Sequence, residues 1–166
     1  MAATVRINEY NTVSVTLTAG ITNSNFGSSD TANMTAASFP ITAGTNSFEK
    51  YQKLEVTAMG GSTSIGSLKV WYTGTLTGSD TFKTNARTST YGGALTFVTP
   101  TQTTSTQASQ TMPTAAPAVN LGIAGSLSTN LTAIGLSDYL CMQIAVNAAT
   151  TAGATLTINW RYTEVA

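Results

Sequence analysis

Any chemistry in this chain must come from a short inventory of side chains. There is no histidine, which removes the commonest general base and metal ligand and, with it, zinc sites of the usual Cys/His kinds. The single cysteine, Cys141, sits in an alternating run beside Met142. With no histidine to activate it, it reads as a small residue on a packed or semi-packed face and not as a nucleophile. The carboxylates are Glu9, Asp30, Glu49, Glu55, Asp80, Asp138 and Glu164. Scattered carboxylates can meet in space as a glycosidase-type pair. Such a pair needs a cleft lined by aromatics and arginine, and both are scarce here. Asp80, in Thr77-Gly78-Ser79-Asp80, and Asp138, just ahead of a strand, read as turn residues. Gly122-Ile123-Ala124-Gly125-Ser126-Leu127 lacks the lysine and following helix of a phosphate loop. Gly60-Gly61 and Gly92-Gly93 read as bends that need free backbone angles. The expectation is a protein that is not an enzyme and holds no cofactor and no metal.

Surfaces are then the better place to look. Trp71 and Tyr139 fall opposite the aliphatic set of their strands, as sugar-stacking rings would, or as amphipathic aromatics at a subunit interface; the interface reading is preferred. A second candidate is the uncharged stretch from Thr99 to Pro117, TPTQTTSTQASQTMPTAAP, punctuated by proline. Its composition is that of an extended loop. Too polar to order itself by core packing, it must be held by its own sheet, a sister subunit or a lattice neighbour. The last two would make it an interaction arm. With an N-terminal contact segment over residues 1–10, the candidate interface residues are Val5, Ile7, Tyr10, Trp71, Tyr139, Thr101, Gln102, Gln107 and Met112. Deleting the arm is expected to leave the fold intact and to abolish partner binding.

The elements that must position these residues show a period of two. Val13, Val15 and Leu17 alternate with Thr12, Ser14, Thr16 and Thr18, which predicts a half-buried strand, with a shorter one before it at Val5 and Ile7. Leu54, Val56 and Ala58 alternate up to Gly60-Gly61; Leu68, Val70 and Tyr72 alternate with Lys69 and Trp71. Leu95 and Phe97 mark a short strand closed by Pro100. Near the C-terminus, Leu140, Met142, Ile144 and Val146 form one face, with Tyr139, Cys141, Gln143 and Ala145 on the other. Leu156, Ile158, Trp160 and Tyr162 repeat the pattern, Trp160 belonging to the core, and the two runs read as antiparallel neighbours. No segment has helical spacing. Fold class is therefore all-β: an antiparallel β-sandwich, jelly-roll-like, with long Ser/Thr-rich connections, in a single domain over residues 1–166.

Composition agrees with a contact role. Charged residues make up only 8% of the chain, against about 25% in an ordinary soluble domain, while Thr alone supplies roughly a fifth. A surface wetted by hydroxyls packs against neighbours at small desolvation cost. Seven basic and seven acidic residues cancel and neither sign clusters. No basic stripe is present for nucleic acid, and little net charge opposes association. With one cysteine there is no internal disulfide. Met1 to Tyr10 lack an apolar signal core and no apolar run approaches a membrane span, so synthesis in a cytoplasm is expected. Asn33-Met34-Thr35 and Asn130-Leu131-Thr132 match the glycosylation pattern, as chance allows in a Thr-rich chain.

From Leu68 onward the order of motifs resembles tailed-bacteriophage virion proteins, in particular capsid decoration (cement) proteins. The motifs are Lys69-Val70-Trp71-Tyr72-Thr73-Gly74, Thr84-Asn85-Ala86, Ala118-Val119-Asn120-Leu121-Gly122-Ile123-Ala124-Gly125-Ser126-Leu127, Ser137-Asp138-Tyr139 with the strand Leu140 to Val146, and Thr155-Leu156-Thr157-Ile158-Asn159-Trp160-Arg161-Tyr162. The resemblance covers about the last 100 residues by motif order; the first 60 carry no such motif. It implies a virion protein on the outer capsid surface, whose partner is the major capsid protein of a phage shell. It also implies a homo-oligomer, trimeric at three-fold sites or dimeric at two-folds, that bridges capsomers by multivalent contact. Another virion component (tail, head-fibre or baseplate subunit) and a carbohydrate-binding module are the other readings. No catalytic set is transferred, because such proteins act through surfaces.

Overall fold

A computed structural model describes residues 1–85, 95–116, 130–151 and 153–166. The turn expected at Gly92-Gly93, the Ala118 to Leu127 motif, and Ala86 and Pro117 lie outside the described residues.

The fold is all-β. Among the described residues, nine strands run in the order β1 (Thr4–Asn11), β2 (Thr16–Thr18), β3 (Lys50–Ala58), β4 (Ser64–Thr73), β5 (Thr81–Thr84), β6 (Gln110–Thr111), β7 (Gly135–Leu136), β8 (Leu140–Ala145) and β9 (Thr157–Val165). The only helical element among the described residues is a 3-10 turn at Ala36–Ser38; no helix there is long and apolar enough to cross a membrane. A 7-stranded antiparallel sheet has the order β2-β1-β3-β8-β5-β6, with β7 also on β3, and faces a 2-stranded sheet of β4 and β9. Buried Leu54 and Val56 (β3), Phe82 (β5), and Leu140 and Met142 (β8) meet Ile65, Leu68, Val70 and Tyr72 of β4 across the sandwich. Each such burial contributes about 1.5–3 kcal/mol. This sandwich is lopsided: among the described residues the two four-stranded sheets of a jelly roll do not form.

Alternation explains most strands and a bulge explains the least obvious one. β1 pairs with β3 so that Val5 faces Val56 and Ile7 faces Leu54, placing both strands' aliphatics on one face. In β4 the register against β9 shifts between Gly66 and Lys69, and Ser67 takes a φ of 50°. One extra residue reverses the side-chain parity. Ile65 before it and Leu68, Val70 and Tyr72 after it can thus all point inward.

Several expectations are corrected. Val13 and Val15 do not lie on a strand. Thr12 and Val15 have φ of 62° and 54°, the Val15 N–H donates to the Thr12 carbonyl at 3.1 Å, and the chain reverses into β2. The alternation there belongs to a hairpin tip: Val13 is 76% exposed and Leu17 50%. Leu95 and Phe97 join no ladder; they pack as loop residues against Tyr10, Tyr51 and Cys141. The two C-terminal runs are not neighbours either, because β8 pairs with β3 and β5 while β9 pairs with β4. β8 and β9 thus belong to different sheets. Trp160 packs half-buried against the core instead of within it. Finally, the described part of the 99–117 arm is held by its own sheet. Ala108 and Met112 are buried in it and β6 pairs with β5, so its deletion would strip the core.

Candidate functional site

The arm crosses the outer face of the large sheet, and polar side chains on β8 and just before β3 hold it there. Gln143, 3% exposed, accepts from the Ser105 N–H at 2.9 Å and donates from Nε2 to the carbonyls of Thr103 at 2.8 Å and Ser47 at 3.1 Å. The Glu49 carboxylate accepts from the Ser105 hydroxyl and, at 3.2 Å, from the Thr101 N–H. The Ser105 Oγ in turn accepts from the N–H groups of Gln107 and Ala108 at 3.1 and 2.7 Å. Polar residues that cannot build a core thus order themselves by satisfying buried backbone groups. Of the arm's candidate residues Thr101 is exposed and Gln102 and Gln107 are half-buried. Met112 is fully buried and so offers nothing to a partner.

Beneath the arm lies an aromatic patch. The Tyr139 ring meets Tyr10 edge-on at 5.1 Å and Phe97 at 5.8 Å, and Phe97 lies 4.9 Å from Tyr51. Burial pushes the phenols of Tyr10, Tyr51 and Tyr139 upward and the Cys141 thiol up to about 12, with Glu49 adding to the effect. Burial also lowers the Lys53 ammonium, which sits 4.0 Å over the Tyr139 ring, a cation–π contact. On the small sheet Arg161 covers Trp71 at 5.5 Å. Each candidate sugar-stacking ring therefore already has a cation over one face. Tyr10 is only 8% exposed, and Val5 and Ile7 are half-buried in a strand paired on both sides.

Two surface features were invisible in the sequence. One is the β1–β2 hairpin, where Val13, Val15 and Leu17 stand exposed together with no charged residue from Thr12 to Thr18. A turn without Gly or Asn at its left-handed positions gave no signal. The other is a cavity of about 910 Å³ between the core face of the large sheet and the start of β9, lined by Ile21, Ile41, Leu76, Phe82, Leu156 and Trp160 among others. At its rim Asp80 is occupied by the Asn147 N–H and the Thr150 hydroxyl at 2.7 and 2.5 Å.

The interior changes character at one end of the sandwich. Continuing along the core face past Ile7 and Leu54 come Glu9 and Gln52, which are cross-strand partners, and then Asn11 and Lys50. The Lys50 Nζ donates to Glu9 Oε1 at 2.6 Å, with side chains 2% and 0% exposed. Gln52 donates to Glu9 Oε2 at 2.9 Å. The Asn11 amide nitrogen donates to Glu9 Oε1 at 3.2 Å and to Asp30 Oδ1 at 2.7 Å. Glu9 and Asp30 thus come well inside the roughly 10 Å that an acid pair requires, but Glu9 is sealed from outside substrates. Among the described residues, no group of three or more Cys, Asp or Glu side chains is placed to hold a metal ion. No family model, no curated protein and no solved structure matches the chain.

Proposed function

We propose that this chain is a non-enzymatic virion structural protein that binds the outer surface of a phage capsid and stabilises it by bridging neighbouring capsomers. It would act as a homo-oligomer, a trimer at three-fold sites or a dimer at two-folds. The observation that carries the reading is the β1–β2 hairpin. Its three aliphatic side chains are exposed, and a β-branched valine is held at a φ of 54°, where such residues are strained. Backbone strain beside exposed apolar surface motivates a contact role. The charge-poor, Thr-rich surface around it supports the same role, because hydroxyls and methyls pack against a lattice without burying unpaired charge. The contact element in this reading is residues 12–18, in place of the N-terminal strand and the arm. Each copy contributes a modest contact, and an oligomer engaging several capsid subunits gains avidity.

The test is co-sedimentation and light scattering with a panel of empty tailed-phage shells. The wild-type chain is expected to saturate one shell type at a fixed ratio. A Val13→Asp/Leu17→Asp variant should lose at least tenfold in affinity while its thermal midpoint stays within a few degrees, as exposed substitutions do. A chain indifferent to every shell, or a double variant that binds as tightly as wild type, refutes the proposal.

A further inference from the structure

The buried polar cluster holds the parts of a covalent reaction between two strands. Glu9, Lys50 and Asn11 are 0%, 2% and 5% exposed. Asn11 and Lys50 occupy the opposed positions one step beyond the Tyr10–Tyr51 pair of the β1–β3 ladder, where side chains are close neighbours. One carboxylate oxygen, Glu9 Oε1, touches both nitrogens that would exchange places: Lys50 Nζ at 2.6 Å and Asn11 Nδ2 at 3.2 Å. The remaining contacts hold these groups in place. Gln52 fixes the other oxygen of Glu9. Asp30 holds the second hydrogen of the Asn11 amide, and the Thr31 carbonyl, at 3.3 Å, accepts from Lys50 Nζ.

We propose that Lys50 and Asn11 are joined by an isopeptide bond that the chain forms unaided, with Glu9 as the proton carrier. The Lys50 ammonium passes a proton to Glu9 Oε1, freeing its lone pair to attack the Asn11 side-chain carbonyl carbon. Glu9 delivers that proton to the Asn11 amide nitrogen as the C–N bond breaks. The new amide keeps one N–H. The displaced nitrogen leaves as ammonia and takes up the remaining proton as ammonium, returning Glu9 to its starting state. No oxidant, metal or co-reactant enters the balance. Exclusion of water protects the amide from competing hydrolysis and strengthens the electrostatic guidance of the carboxylate. The bond would tie the strand that carries the exposed hairpin to the centre of the large sheet, whatever the hairpin binds.

The experiment is mass spectrometry of the full chain, denatured, followed by trypsin. The expected result is a deficit of about 17 Da, one ammonia, a covalent change of the kind that alters the physical argument. Trypsin has no site between Arg6 and Lys50. A bonded Lys50 resists cleavage, giving one Ile7–Lys53 peptide that carries the deficit; a free Lys50 gives Ile7–Lys50 and Tyr51–Lys53. Lys50→Met, Glu9→Gln and Asn11→Ala should each abolish the deficit. A succinimide at Asn11-Thr12 also loses ammonia, but it would survive Lys50→Met and leave Lys50 cleavable, and that result overturns the proposal. So does a wild-type chain of full mass, a measurement that stands however the variants fold.

Discussion

Removing the Gln143 side chain tests what holds the 99–116 segment to the sheet. In Gln143→Ala the Ser105 N–H and the carbonyls of Thr103 and Ser47 lose partners at 2.9, 2.8 and 3.1 Å. At about 1 kcal/mol net for each bond, and more where a group stays buried and unpaired, the closed arm loses about 3 kcal/mol. At 1.4 kcal/mol per decade, the opening equilibrium rises on the order of 100-fold. Cys141 supplies the readout. It is fully buried beneath the arm with its thiol pushed up to about 12, so it is inert while the arm is closed. Once released, it returns toward the ordinary thiol range near 8.5 and reacts. Labelling with a disulfide reagent at pH 8 should therefore be about 100-fold faster in the variant, with a dependence on urea much weaker than that of global unfolding. An unchanged rate would mean these hydrogen bonds do not hold the arm. Labelling that follows global unfolding in both proteins would mean the arm has no opening of its own.

Two further outcomes follow from the N-terminal corner. Gly60 has a φ of +61° and a Cβ there would lie 2.3 Å from the Met1 carbonyl oxygen and 2.4 Å from that of Ala2. Gly60→Ala should cost about 1–3 kcal/mol, read as a lower urea midpoint, while Gly153→Ala, with open space around it, should cost little; equal effects would refute the steric account. Acid should weaken the fold through Glu55, held below the usual carboxylate range by hydrogen bonds from Arg6 and Asn8, and Glu164, held down by the Ser62 hydroxyl and the Ala3 N–H. Depressed carboxylates give stability that is present above the unfolded value, near 4.3, and lost as pH falls through the folded one. The thermal midpoint should stay flat between about pH 7 and 5, then fall below about pH 4, less steeply in Glu55→Gln/Glu164→Gln. A midpoint that rises in acid, or an unaltered slope in the double variant, would contradict this.

Strands were legible where alternation coincided with one-sided burial. Leu54 and Val56, Leu68, Val70 and Tyr72, and Leu140 and Met142 all reach the core as their parity requires. The same rule misled at Val13 to Leu17, because alternation measures a pattern along the chain and cannot tell a strand from a turn whose residues take left-handed angles without glycine. It left open how closely the face of β8 that carries Cys141 and Gln143 is packed; β8 lies between β3 and β5 under the arm and is buried on both sides. Of the candidate interface residues, Tyr10 came with the N-terminal segment and Met112 with the arm, and both are buried. Which surface a strand shows to solvent depends on what later folds over it.

The amino-acid sequence by itself determined the class of protein: β-branched hydroxyl residues and period-two aliphatics demand pleated strands, and the lack of histidine and of clustered charge removes most site chemistry. Tertiary structure alone decided the partners. Glu9 and Lys50 are 41 residues apart, as are many pairs that never meet. Only the β1–β3 register, sealed beneath the 20–33 loop, makes them a buried ion pair beside Asn11. Long-range contacts such as these are set by which strands pair and what covers them, and local pattern carries no information about either.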